Sequence, residues 1–221
     1  KSYSQGHCFK CFKTKAECDL CIMKPETCHY HLDTCREDEF AHSVCFQPHI
    51  VYLANSSALK IGITRIMNMP TRWLDQGATQ ALPILKVGSR RLSGHLETLI
   101  GTQIADKTDW RKLLKGEAEH LNLIEQRDQI LEEFAPKIQT IRDEFSQNLE
   151  FNENLEFLEN ELPREYIYSV EQYPEKIKSL NLDKTPKIRG VLQGIKGQYL
   201  LLDIGVINIR KYTGYELILR A

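Results

Sequence analysis

All seven cysteines of this 221-residue chain, at positions 8, 11, 18, 21, 28, 35 and 45, fall within the first 45 residues, and no thiol follows. Cys8-x-x-Cys11 and Cys18-x-x-Cys21 are close pairs, trailed by Cys28-His29, Cys35 and Cys45. Two cysteines separated by two residues let one tight turn aim both sulfurs at a single tetrahedral ion, so the spacing points to structural zinc. A segment this short cannot build an apolar core and depends on the metal for its fold. Two closed four-ligand sites need one ligand beyond the seven thiols; His29 or His49 supplies it, or a ligand pair upstream of Lys1 does. Spacing does not divide these ligands between the ions. A disulfide framework is the competing account, but Lys1-Ser2-Tyr3-Ser4-Gln5 lacks the apolar stretch of a signal peptide, and a reducing cytosol disfavours disulfides. The third account, a thiol redox sensor, requires exposed cysteines of low pKa.

Hydrophobic residues at 42% and charged residues at 27% exclude collagen-like, membrane-spanning and wholly disordered chains. No apolar run reaches the roughly 18 residues that a spanning helix needs, so a cytoplasmic protein without a membrane partner is expected. The net charge of −1 divides unevenly, with +5 over residues 1–116, −10 over 117–163 and +4 over 164–221. No single basic field covers the chain, which argues against tight, sequence-blind binding to nucleic acid but leaves room for local basic patches.

Downstream of the cysteines, His49–Ala54 and Leu59–Thr64 read as a β-hairpin across Asn55-Ser56-Ser57-Ala58. A short helix follows Pro70 over Thr71–Gln76, Leu82–Val87 is a third strand, and Ser93–Ile100 opens a second helix with Leu96, Leu99 and Ile100 at core spacing. The order is β-β-α-β-α. Residues from about Leu121 to Phe151 read as a kinked helix or helix pair broken at Pro136, its charge making it a spacer or a surface for a protein partner. From Glu165 the pattern turns to short, glycine-punctuated strands, Tyr166–Val170, Lys187–Leu192, Gln198–Leu202 and Val206–Arg210, which suggest a small barrel-like module. In that module Lys196, Arg210 and Lys211 mix with Tyr199 and Tyr212, a combination suited to nucleic acid. The expected fold class is α+β, in four parts: a zinc-binding segment at 1–48, a central domain at 49–115, an acidic helical segment at 116–163 and a C-terminal β module at 164–221.

Tyr52, then Lys60-Ile61-Gly62, then Arg72, then Glu97 within Leu96-Glu97-Thr98-Leu99-Ile100 resembles the core of GIY-YIG nucleases, a three-stranded antiparallel sheet with flanking helices. The wider pattern, from Cys21-Ile22-Met23-Lys24-Pro25-Glu26 through Val51–Ser57, Gly62-Ile63-Thr64-Arg65 and Arg72–Ala78 to Gly194–Leu200 and Val206–Lys211, is similar to an uncharacterised bacterial family of unknown function. That likeness spans nearly the whole chain, and in that family a further Cys-x-x-Cys precedes the stretch that opens at Lys1. The nuclease resemblance implies that Tyr52 positions the scissile phosphate or moves a proton, that Arg72 clamps the phosphate and that Glu97 holds a magnesium or manganese ion, with Lys60 as a further phosphate contact. Arg65 and Trp73 are the expected nucleic-acid contacts, Trp73 as a stacking platform if it is exposed. The first motif lacks its glycine, and Lys60 stands where a tyrosine is usual, which removes one candidate base.

Each residue also has a plainer reading. Tyr52 is a packing residue of a strand, Glu97 a solvated helix residue, Arg72 a surface partner of Asp75 or Asp106, and Trp73 a core anchor. The function expected is nucleic-acid binding, DNA or RNA, with metal-dependent phosphodiester cleavage. The alternatives are a non-enzymatic zinc-containing adaptor for nucleic acid or protein, and the redox sensor.

Overall fold

The computed structural model describes Tyr3 and residues 6–104, 109–146 and 154–220. Asp106, the alternative partner for Arg72, and the expected end of the acidic helix at Phe151 lie outside the described residues. Residues 6–47 carry two short helices, α1 (Phe9–Thr14) and α2 (Asp38–Phe40), joined by single 3-10 turns. Ala16, Pro25 and Ala41 are the buried residues of this stretch, so it has no apolar core of its own. Polar contacts brace it instead. Glu37 receives Lys15 Nζ at 2.6 Å and the Ala16 backbone N–H at 2.8 Å, and Arg36 Nε meets Asp19 Oδ2 at 2.6 Å.

The central sheet begins with β1 (His49–Asn55), β2 (Leu59–Arg65) and β3 (Gln80–Val87), all antiparallel with β1 in the middle. Helix α3 (Thr71–Asp75) links β2 to β3, and α4 (Arg90–Ile100) follows β3, which gives the β-β-α-β-α order expected from the sequence. Every residue of β1 is buried because both sheet faces are covered. Val51 and Leu53 join the α4 residues Leu92, Leu96 and Ile100, whereas Ile50, Tyr52 and Ala54 join Trp73, Ala78 and Ala81. Helix α4 starts at Arg90, ahead of the expected Ser93, because Ser89 Oγ caps it by accepting the Leu92 N–H at 3.1 Å.

Helix α5 (Trp110–Lys115) precedes the acidic stretch, which is a single 24-residue helix, α6 (Leu123–Ser146), continuing through Pro136. The spacer expectation is corrected here. Leu123, Ile130, Phe134, Ile138 and Phe145 of α6 share one core with β1 and α4, so the helix is a layer of the central domain with its charges on the outer side, apart from the buried Arg127, which donates to the Glu159 carbonyl. Strands β4 (Leu155–Phe157) and β5 (Arg164–Glu165) then pair with β3, extending the sheet to five strands. The central domain therefore does not stop at residue 115.

The C-terminal module is also simpler than expected. Strands β6 (Leu192–Lys196), β7 (Tyr199–Leu202) and β8 (Gly205–Asn208) form an open three-stranded meander in that order, so no barrel closes among the described residues. Of the expected strand Tyr166–Val170, only a single bridge from Val170 to Gly194 forms. The β6–β7 turn at Gly197 has a positive φ of 57°. A Cβ there would stand 2.9 Å from the Asp75 carbonyl, so glycine lets the turn dock against the end of α3. No helix among the described residues is long and apolar enough to cross a membrane.

Candidate functional site

Tyr52 sits at the centre of β1, directly opposite Gly62 of the edge strand β2. A Cβ at position 62 would lie 2.8 Å from both Cζ and Oη of Tyr52. The missing side chain is the path by which the phenol crosses the edge strand and brings its hydroxyl toward α3. There Oη donates to Gln76 Oε1 at 3.1 Å. Arg72, from α3, and Glu97, from α4, are its charged neighbours. Burial pushes the Tyr52 pKa up to about 12, and the Arg72 charge pulls against that rise. At neutral pH the phenol is a proton donor. Trp73 meets its ring edge-on at 5.7 Å and fixes its orientation.

The charges of Arg72 from α3 and Glu97 from α4 both act on the Tyr52 phenol, and both charged residues are half-buried. Lys60 pairs with Ala54 in the β1–β2 register, which puts it on the same sheet face as Tyr52, also half-buried. Arg65 lies at the far end of β2 opposite His49, and its charge reaches both His49 and Arg90. Trp73 is not a stacking platform: it is 0% exposed, packed against Tyr52 and Tyr166 with the Arg164 guanidinium over its ring at 5.6 Å. Its core-anchor reading is the one the structure follows. In the C-terminal module Lys196 is buried over Tyr168 and Tyr173, Tyr212 is buried, and Lys211 pairs with Asp183 at 3.4 Å. Lys196 and Tyr212 are thus withdrawn from any surface for nucleic acid.

Sequence reasoning missed Gln76 and Arg90. Gln76 gives no signal beyond its place at the end of α3. Arg90 follows the capping serine that begins α4, and a correct helix start would have placed it on the first turn. Its guanidinium lies among Cys45, Cys21, Glu97 and Arg65, and burial lowers its pKa.

The cysteines form two groups. Cys21, Cys28, Cys35 and Cys45 line one cavity together with Asp19, His29 and Arg36. Arg90 and Arg91 of α4 line the adjoining hollow with Cys21, Cys28 and Cys45. Within the cavity Asp19, Cys21 and His29 bring one donor atom each within 4.8 Å of one another. Cys8 and Cys11 are neighbours that shift each other's pKa, and Cys18 is an electrostatic neighbour of Cys11; none of these three lines that cavity. All seven are free thiols. Burial pushes Cys21 up to about 11 and Cys45 up to about 12, the opposite of what a reactive redox thiol needs, whereas the exposed Cys8 is lowered, chiefly by hydrogen bonding from the Cys11 backbone. His49, the other imidazole candidate, is not among the cavity's lining residues. It lies fully buried in β1, with Nδ1 against the Gln47 carbonyl at 2.7 Å and Nε2 without a hydrogen-bond partner.

The family model described as "Protein of unknown function (DUF2797)" matches residues 1–217, and the chain belongs to that family. No curated protein and no solved structure matches the chain.

Proposed function

We propose that this chain binds nucleic acid by gripping a backbone phosphate at the Tyr52 face, and that it cleaves a phosphodiester bond there with the help of magnesium or manganese. The observation that supports this reading is that Arg72 of α3 and Glu97 of α4 are the charged neighbours of the Tyr52 hydroxyl, which lies against Gly62 of the edge strand. The same residues carry the resemblance to the GIY-YIG core. Arg72 presents a planar fork of donors to two phosphate oxygens. The Tyr52 hydroxyl, held protonated, donates a further hydrogen bond to the phosphate or to an attacking water. Glu97 would hold the divalent ion, whose other ligands are water and phosphate oxygens, and the ion supplies Lewis acidity toward the phosphoryl group. Lys60 and Arg65, at opposite ends of β2, contact neighbouring phosphates along the strand edge. Zinc in the cysteine segment has a structural role, because closed sulfur-rich sites leave no position for substrate.

The test is cleavage of single-stranded, duplex and structured nucleic acids with added Mg²⁺ or Mn²⁺, comparing the full chain with Glu97→Ala. Cleavage that vanishes in the variant while binding persists supports the proposal. Salt-sensitive binding without cleavage in the wild type moves the reading to a phosphate-gripping adaptor. Absence of both overturns it.

A further inference from the structure

The four cavity cysteines come from different turns of the N-terminal segment. Cys21 lies in the turn Leu20–Ile22, Cys28 follows the turn Pro25–Thr27, Cys35 precedes α2, and Cys45 ends the wider helical turn Ala41–Cys45. No apolar core holds these turns together, since Ala16, Pro25 and Ala41 are all that is buried between residues 6 and 47. What they share is the cavity that all four side chains line.

The competing donor set in that cavity is Asp19, Cys21 and His29. Asp19 Oδ2 takes Arg36 Nε at 2.6 Å, which balances its charge, and His29 Nδ1 is bonded to Thr34 Oγ1 at 2.7 Å, so Asp19 Oδ1 and His29 Nε2, 3.6 Å apart, are the atoms that compete with the sulfurs. On the α4 side, Arg90 donates from Nη2 to the Ile22 carbonyl at 2.7 Å, while its Nε is buried with no hydrogen-bond partner. A buried cationic N–H without an acceptor is expensive, and the groups beside it are Cys45 and Cys21. Sulfur bound to a metal is an anionic acceptor, which a neutral thiol is not. A zinc ion with four thiolates carries a net charge of −2, and a guanidinium at its edge meets both needs.

We infer that Cys21, Cys28, Cys35 and Cys45 hold one zinc ion as a four-sulfur centre, and that Arg90 hydrogen-bonds one of its sulfurs and ties the centre to α4. Binding Zn²⁺ forms four Zn–S bonds and releases the four thiol protons to solvent. Cys8, Cys11 and Cys18 belong to a separate site. The inference rests on the structural-zinc reading and is independent of phosphodiester cleavage.

The test uses the full chain purified with zinc, with metal counted by mass spectrometry, against Cys28→Ser, Cys45→Ser, Cys8→Ser and Asp19→Asn. The first two variants are expected to lose one equivalent of zinc per chain, whereas Cys8→Ser and Asp19→Asn retain it. Should Cys28→Ser and Cys45→Ser fail to fold, cobalt-exchanged Cys8→Ser still reads the ligand set, and a tetrahedral spectrum with four-sulfur charge-transfer intensity is expected. Arg90→Met is expected to release zinc to a chelator at least about tenfold faster than wild type, with Arg90→Lys in between. Retention of all zinc in Cys45→Ser, loss of this ion in Asp19→Asn, or a cobalt spectrum of one sulfur with nitrogen and oxygen overturns the four-sulfur assignment. Unchanged release from Arg90→Met overturns the role of Arg90. A wild type without zinc overturns the zinc reading as a whole, an outcome that cleavage assays do not affect.

Discussion

Gly62 controls the position of the Tyr52 hydroxyl, and the control is steric. A Cβ at 2.8 Å from the phenol cannot be absorbed by a small shift, because Trp73 blocks one side of the ring and β1 is buried throughout. Gly62→Ala is therefore expected to destabilise the fold by about 1–3 kcal/mol and to abolish phosphate binding at this face. In a Tyr52→Leu background the same substitution should cost little, and a double-mutant cycle from denaturant melts measures the difference. Equal costs in both backgrounds would refute the steric account. His49 makes a pH prediction at the same scale. Burial lowers its pKa to about 4 from an ordinary 6.5, with Arg90 and Arg65 adding to the effect and the Gln47 carbonyl opposing it. The unfolded chain takes up that proton near pH 6.5 and the folded chain only near 4. The neutral imidazole's stabilising contribution is therefore complete above pH 6.5, falls as pH drops through this window and levels off below it, by roughly 3 kcal/mol at most. His49→Asn should flatten the acid limb of stability against pH, while His95, whose pKa burial also lowers, contributes equally to both proteins.

At the scale of elements, α6 separates what a charge count implies from what packing does. Its apolar residues occur at three- and four-residue steps, and Phe134, 1% exposed, reaches the same core as β1 and α4. Phe134→Ala is expected to cost about 3–5 kcal/mol and to lower the melting of the whole central domain, read by circular dichroism. A spacer helix would lose only its own signal and leave the sheet's melting unchanged. The sequence showed the hairpin, the third strand and both central helices clearly, because their periodicities are strong. It did not show β4 and β5, whose three and two residues are too few to carry an alternation. It overstated Tyr166–Val170, of which only the end meets the β6 edge, through the Val170–Gly194 bridge and the Ile195 N–H to the Ser169 carbonyl. At the candidate site, the chemical types and chain order of Tyr52, Arg72 and Glu97 were legible, and both charges act on the Tyr52 phenol. Trp73 was ambiguous, since burial of an aromatic depends on the partner layer, here Tyr52 and Tyr166. The grouping of cysteines was hidden because Cys18 and Cys21, a close pair in sequence, face different neighbours in space.

Across the whole molecule, the cysteine segment and the face proposed to grip phosphate share one helix. The turn at Pro25 sits on Gly94, where a Cβ would stand 2.5 Å from Pro25 Cβ and 2.7 Å from the Glu26 nitrogen. The Ile22 carbonyl is held by Arg90 one turn earlier, and Glu97 lies one turn later on the same helix. Removing the metal from a segment that buries so little apolar surface should release its turns, and with them the contacts that cover the N-terminal half of α4. Hydrogen exchange before and after strong chelation is expected to show faster exchange in residues 8–46 and in the first two turns of α4. The C-terminal meander, whose Leu201 and Val206 pack on Leu113 and Leu114, should keep its protection. Gly94→Ala, which forces the Pro25 turn away from the helix while leaving every thiol in place, should expose α4 in the same way without loss of zinc. If chelation leaves α4 protected, the segment is an independently hinged module and the metal does not support the Glu97 side of the face. If α4 loosens, weaker nucleic-acid binding by the chelated protein has a mechanical cause in the helix that carries Glu97, with no zinc at the phosphate.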